Sequence, residues 1–442
     1  MKLKNLISTP CGLRYMVERL DIQSGVARRM LLEREMMTSA FVIESYYEEL
    51  NTYIQVAQMP QNALAIRNIQ FRLQNLKDIR TTLQNLAEGK TLDEIELFEI
   101  KHLAILTNEI WQQMDIVEIG LIDFGMNKVI DILDPEKQCI SSFYLYDAYS
   151  DTLRRLRKKL EKNPTDETVY CQLQEEEMKV RQRLTCQLRD YKSHLSLALQ
   201  QLVEIDIYIA QAKQYIDMGL CLPTLSRETR LTEMWNPEVA ESVSHRGITY
   251  QANSISLSDC PTVLTGSNMG GKTVVLKTVA LCQLLMQFGF GIPAKQAIMR
   301  PFDAIYCQMA DGQSTESGLS SFGAEMKNLN EIIAAARSNK DILALIDEPA
   351  RTTNPVEGTA LVSSLLDTLQ PTRITLLLVT HYIIMGAHTC AYLRVKGIED
   401  GKMNYALVPT EEGDVPHEAL RIAEQLGTDK EWLQKAKTYL TT

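Results

Sequence analysis

The sequence predicts an all-α half followed by an α/β half, and two textures carry that reading. From Met1 to about Pro223, apolar residues recur at three- and four-residue spacing with few turn residues between them. That is the pattern of helices burying one face. After Pro223, short apolar runs alternate with helical patterns, as in a parallel sheet covered by helices. A third observation belongs to the second half: the glycine-rich stretch GSNMGGKT, Gly266–Thr273, lies between one such run and one such helix.

In chain order, Met30–Met59 reads as one long helix and Ala63–Leu86 as another, closed by Gly89. Thr91 followed by Glu94 has the spacing of a capping box, and Pro135 ends a further helical stretch. Asp147–Lys162 and Thr168–Met218 read as two helices split by Asn163-Pro164-Thr165. The second would run about 75 Å at about 1.5 Å per residue, a coiled-coil-like lever or two helices with an unmarked kink. Gly247–Leu257 alternates like a half-exposed strand. Thr262–Thr265, Leu343–Ile346 and Thr375–Val379 read as buried strands, Thr273–Phe288 and Gly323–Ala336 as helices. Ala419–Leu426 and Lys430–Leu440 read as two short closing helices around Gly427.

Forty-five per cent hydrophobic residues among 442 exclude a disordered chain, which cannot bury enough apolar surface to offset ordering entropy. A net charge of −10 withholds the simplest argument for nucleic-acid binding, a basic excess. The nine cysteines are scattered without a CxxC pair, which reads as free thiols in a reducing cytoplasm. No uninterrupted apolar run reaches the roughly 18 residues of a membrane helix, so a cytoplasmic protein without membrane contact is expected.

GSNMGGKT is a full GxxxxGK[ST]. Its residues Gly266, Ser267, Asn268, Met269, Gly270, Gly271, Lys272 and Thr273 are the candidate nucleotide-binding set. Glycines let backbone N–H groups wrap the phosphates while the helix N-terminus faces the same negative charge. Lys272 reaches the β/γ-phosphates and the Thr273 hydroxyl holds Mg²⁺. Downstream, the apolar run Ile342–Ile346 ends in two carboxylates. Asp347 is the second candidate metal residue, and Glu348 the group that orients or deprotonates the attacking water. Another buried run ends in Thr380-His381, and His381 is the candidate γ-phosphate sensor. ATP and Mg²⁺ are the expected cofactors.

GSNMGGKT, IDEPARTTNPVEG and VTHY resemble the P-loop, Walker B loop and histidine switch of MutS-family ATPases of the ABC class. Asp311–Met326 (DGQSTESGLSSFGAEM) is similar to that family's signature before a helix. The resemblance implies that Ser320 acts on the nucleotide of an opposite subunit, so a homodimer or a heterodimer with a second subunit is expected. The fold implied is an α/β P-loop ATPase domain of the ABC class preceded by an all-α helical core and lever domain. Residues 1–222 would form the helical core and lever, 223–410 the ATPase domain, and 411–442 a C-terminal helix pair contacting the dimer partner.

Departures from the family bear on the client. The lever starts within the first residues, so the mismatch reader of repair members is expected to be missing. The hairpin at Asn163-Pro164-Thr165 leaves little room for a DNA clamp, and no nuclease extension is expected after Thr442. Repair members usually carry Leu-Gly-Arg-Gly-Thr where Pro349-Ala350-Arg351-Thr352-Thr353 stands, and losing glycines stiffens the loop. The basic run Arg154, Arg155, Arg157, Lys158, Lys159 and Lys162 reads as a solvated helix face or as a phosphate contact. With the absent clamp and the loop, SSFYLYDAYSDTLRRLRKK looks most like the MutS-like subunit of lysine aminomutase reactivases. That resemblance implies a protein client, an adenosylcobalamin-dependent aminomutase; mismatched or branched duplex DNA is the alternative.

Overall fold

The computed structural model describes residues 1–138, 145–266, 271–309, 321–338, 340–386, 388–399, 402–411, 423 and 427–440. Two compact units emerge. One gathers residues 1–20, 34–48 and 214–442; the other gathers 21–33 and 49–213. The expected division at residue 222 follows the chain, whereas compactness assigns two N-terminal segments to the unit that holds the sheets.

That unit contains two sheets. In the first, strands β1 (Pro223–Leu225), β2 (Thr229–Met234), β3 (Asn253–Leu257) and β5 (Gln296–Met299) lie in the order β1-β5-β2-β3. In the second, β4 (Thr262–Thr265), β6 (Ala304–Gln308), β7 (Ile342–Asp347), β8 (Ile374–Val379), β9 (Ala391–Glu399) and β10 (Lys402–Pro409) lie in the order β10-β9-β4-β8-β7-β6. All pairings of the larger sheet are parallel except the β9–β10 hairpin. β7 and β8 are buried along their whole length, which is why both read as continuous apolar runs.

Helices cover both faces. Leu329 and Ile332 of Ser321–Ala336 and Val362, Leu366 and Leu369 of Pro355–Leu369 pack on Ile342, Ala344, Leu376 and Leu378. The helix Lys272–Gln287 buries thirteen of its sixteen residues, including Gln283 and Gln287. Their amide nitrogens are bonded. Gln287 Nε2 donates to the carbonyls of Met37 (2.8 Å) and Phe302 (2.7 Å), and Gln283 Nε2 donates to that of Arg300 (2.9 Å).

The same contacts break the expected Met30–Met59 helix into Gly25–Glu33 and Ala40–Gln58. Met36 N–H donates to Met1 O, Met37 N–H to Gln287 O, and Arg34 O accepts from Leu3 N–H. These backbone bonds occupy groups that a continuous helix would need.

In the helical unit, Ala63–Leu86 likewise divides into Ala63–Leu73 and Arg80–Glu88. The capping box sits two residues later than expected: Asp93 accepts from Glu96 N–H and Glu96 accepts from Asp93 N–H, opening Glu94–Ile116. The long helix is Glu167–Leu188 and Lys192–Met218 joined by a 3₁₀ turn, Arg189–Tyr191, so the kinked alternative holds. Two aspartates are buried to order backbone or charge. Asp206 accepts from Gln23 and Ser24 N–H, and Asp134 lies 3.5 Å from the buried Lys101 ammonium. Within the basic run, Arg157 is ion-paired to Asp147 and Glu177, and Arg154 to Asp151. Gly247–Leu257 is strand only over β3; β1 and β2 fall in the stretch Met218–Thr262, which resembles a strand-rich entry to the ATPase domain, while β5, β6, β9 and β10 are additional strands. Of the closing helices, Lys430–Leu440 is present, while Ala419–Leu426 lies outside the described residues except Ala423. Among the described residues no helix is long and apolar enough to cross a membrane.

The capping box supplies the first prediction. Asp93→Ala should lower stability by about 1 kcal/mol in urea denaturation, and Asp93→Asn by only a few tenths, since Asn caps nearly as well. Equal losses in both variants would show that the side chain is not the cap.

Candidate functional site

Strand register brings the motif residues together. Leu264 pairs with Val379, and Val379 pairs with Asp347, so the ends of β4, β8 and β7 lie in one row. All three strands run the same way, and their C-terminal loops therefore leave at one edge. In open parallel sheets that edge is where ligands bind. Thr380 N–H donates to Leu264 O (3.2 Å) and Glu348 N–H to Val379 O (2.8 Å), extending the row one residue beyond the strands.

Gly266 and Gly271 bound the P-loop, with φ of 131° and 74°. Gly271 is the N-cap of Lys272–Gln287, and a Cβ there would lie 3.1 Å from the Tyr405 ring. Glycine thus answers both the left-handed backbone and the close approach. Lys272 is 3% exposed; its Nζ donates to Gly266 O at 2.6 Å and lies 3.7 Å from Glu348 Oε1. Ser267, Asn268, Met269, Gly270 and Ser320 lie outside the described residues, as do Asp311–Leu319.

Asp347 is buried at the end of β7, and among the described residues its Oδ1 meets no hydrogen-bond donor. Burial pushes its carboxyl up, the Thr273 hydroxyl opposes this by hydrogen bonding, and the Glu348 charge adds to the rise. A buried carboxylate oxygen left unsatisfied beside a threonine hydroxyl fits a hard divalent cation, which takes oxygen ligands. Asp347 and Thr273 are the residues that can hold Mg²⁺.

Glu348 is 11% exposed and flanked by two cations, Lys272 and Arg351, each 3.7 Å from one of its oxygens. Its backbone is left-handed, φ 43°, as is that of Ala350, φ 60°. His381 follows Thr380 at the same edge. Its ring is exposed and packs 4.3 Å from that of Tyr382. Gly266, Lys272, Thr273, Asp347 and Glu348 are thus drawn together, with His381 on the rim.

Beside the P-loop helix opens a cavity of about 380 Å³, lined by Val243, Ile248, Tyr250, Val274 and Tyr405 with Gly271–Thr273. Gln251 Nε2 donates to Asn404 Oδ1 (2.8 Å), and Tyr405 N–H donates to Gln251 Oε1 (2.9 Å), fixing the β9–β10 hairpin as one wall. An apolar and aromatic slot with a few fixed polar groups, next to a phosphate loop, suits a planar base. Apart from Gly271, Lys272 and Thr273, the lining residues are not among the sequence-derived candidates.

Comparison with known proteins adds to this geometry. Residues 262–408 match MutS domain V. The chain is 32% identical over 249 residues to Endonuclease MutS2 of Thermus thermophilus, covering 55% of this chain and 32% of that protein. It is 35% identical over 187 residues to Endonuclease MutS2 of Caldanaerobacter subterraneus, covering 40% and 23%. To the protein of the same name in Fusobacterium nucleatum it is 30% identical over 277 residues, covering 60% and 34%. The matched stretches thus span from 23% to 34% of these relatives' length. MutS domain V is a P-loop ATPase domain, and these matches support a MutS-family ATPase of the ABC class.

Proposed function

We propose that the chain binds and hydrolyses ATP with Mg²⁺ and uses the cycle to act on DNA. The observation that carries the ATPase reading is the convergence of Lys272, Asp347 and Glu348 at one sheet edge beside the P-loop helix. Lys272 and the loop's N–H groups would bind the phosphates, and the slot between Tyr250 and Tyr405 the base. Held by Thr273 and Asp347, Mg²⁺ would neutralise charge on the phosphate oxygens. Glu348 would orient a water in line with the γ-phosphorus and accept its proton. As the new P–O bond forms, the bond to the bridging oxygen breaks and ADP leaves with that electron pair. His381, on the rim, would sense the γ-phosphate, and Ser320 of a second copy or second subunit would complete the site in trans.

The relatives' name, Endonuclease MutS2, supports a DNA client. The protein-client reading, reactivation of an adenosylcobalamin-dependent aminomutase, rests on the resemblance of residues 141–159 and of the loop after Glu348; none of the three relatives bears such a name. One experiment separates them. Binding to mismatched or junction DNA should change with ATP and weaken steeply with salt, because phosphate contacts release counterions. Absence of binding at low salt, with ATP-dependent recovery of an inactivated aminomutase, would reverse the assignment.

Glu348→Gln should lower kcat for ATP by about 10²- to 10⁴-fold, the usual contribution of a positioned base, while binding of a fluorescent ATP analogue persists. Hydrolysis at the normal rate would remove Glu348 from the mechanism. Asp347→Asn should raise the Mg²⁺ concentration for half-maximal turnover by about tenfold or more, given the charge a hard cation prefers. An unchanged Mg²⁺ titration would place the metal elsewhere.

A further inference from the structure

The left-handed turn after β7 is held from two sides by residues outside the motif. Glu348 and Ala350 adopt φ of 43° and 60°, a region that costs non-glycine residues about 1–3 kcal/mol each and persists only when neighbours over-determine it. Ala350 is fully buried, and both of its backbone polar groups are bonded to side chains from other elements. Its N–H donates to Glu325 Oε1 at 2.7 Å; its carbonyl accepts from the Tyr382 hydroxyl at 2.9 Å and, within the turn, from Thr353 N–H at 3.1 Å.

Both partners are fixed. Glu325 lies one turn into Ser321–Ala336, the helix that follows the signature-like segment, and Gln308 Nε2 approaches the same oxygen at 3.4 Å. Tyr382 is the residue after His381. Its N–H donates to Thr380 Oγ1 (3.0 Å), and its ring passes so close to Gly358 that a Cβ there would lie 2.4 Å from it. Upstream, Glu348 N–H is bonded to Val379 O. The Glu348 backbone is therefore pinned to β8 on one side, and on the other through Ala350 to Glu325 and Tyr382.

We propose that Glu325 and Tyr382 are positioning residues for hydrolysis, acting through the Ala350 peptide to hold the Glu348 carboxylate at the γ-phosphate. The inference rests on the reading of Glu348 as the group that directs water. Each sets where the turn lies. Through Glu325 the placement of Glu348 follows the helix after residue 320, and through Tyr382 it follows the strand end that carries His381.

The test is steady-state ATPase kinetics on the full chain, with urea denaturation in parallel. Glu325→Ala should lower kcat by about tenfold to a hundredfold with KM for ATP unchanged, since a displacement near 1 Å costs up to about 10² in rate. Glu325→Gln should restore most of it, because its amide oxygen still accepts from Ala350 N–H. Tyr382→Phe, which removes one hydroxyl and leaves the ring, should lower kcat by several-fold at constant KM. It also keeps the proposal testable should Glu325→Ala misfold. Unchanged kcat in Glu325→Ala or Tyr382→Phe overturns the proposal, as does a Gln variant no better than Ala, or a loss confined to KM. If the unaltered protein and Glu348→Gln hydrolyse ATP equally, the hydrolytic reading falls and takes this one with it; normal turnover in the Glu325 and Tyr382 variants alone sinks only the positioning role.

Discussion

The row formed by Leu264, Val379 and Asp347 across β4, β8 and β7 is the constraint on which the site depends. A one-residue slip in register moves every side chain to the opposite face, and here both faces are covered by helices. Burial of Ile342, Ala344, Leu376 and Leu378 under one helical layer therefore fixes where the three loops begin. The chemistry at the edge inherits its geometry from apolar packing several residues away. That is why Asp347 can be buried with an oxygen that no described residue satisfies: the strand holding it is not free to shift and relieve it.

The charges at that edge form an interdependent set. Lys272 sits between the Gly266 carbonyl and the Glu348 carboxylate, almost wholly removed from water. A buried ammonium without partners is costly, and so is a buried carboxylate. Each therefore permits the other to stay in place. Phosphate oxygens entering the loop would compete with Glu348 and Gly266 for Lys272.

What was legible in the sequence follows burial. β4, β7 and β8 are continuous apolar runs that end in glycine, carboxylates or threonine-histidine, so both the strands and their chemistry could be read. β1, β5 and β6 are short, with mixed burial, and exist because a neighbouring strand pairs with them. The helix break at residues 34–39 contains no glycine or proline; it is caused by backbone bonds to Met1, Leu3 and Gln287, far away in the chain. The cavity wall failed for the same reason. Gln251 and Asn404 are 153 residues apart, and no local pattern announces that they meet. The MutS likeness was readable from motifs, and the comparisons sustain it; the finer likeness to an aminomutase reactivase gained no support from the named relatives.

The alanine at position 350 gives the stiffened loop a physical meaning. Glycine would adopt its left-handed backbone without strain. Alanine does so against a cost that two hydrogen bonds, worth about 0.5–1.5 kcal/mol net each, are of the right size to offset. Thr353 N–H also bonds the Ala350 carbonyl from within the turn, and the bonds to Glu325 and Tyr382 are the ones that tie the turn to other elements. Pull the helix Ser321–Ala336 or the end of β8 away and the balance is lost, so the backbone beside Glu348 has reason to relax. A glycine-bearing loop would tolerate such movement silently. With alanine, the loop converts displacement of either neighbour into displacement of the carboxylate, so stiffness at this point increases coupling instead of blocking it.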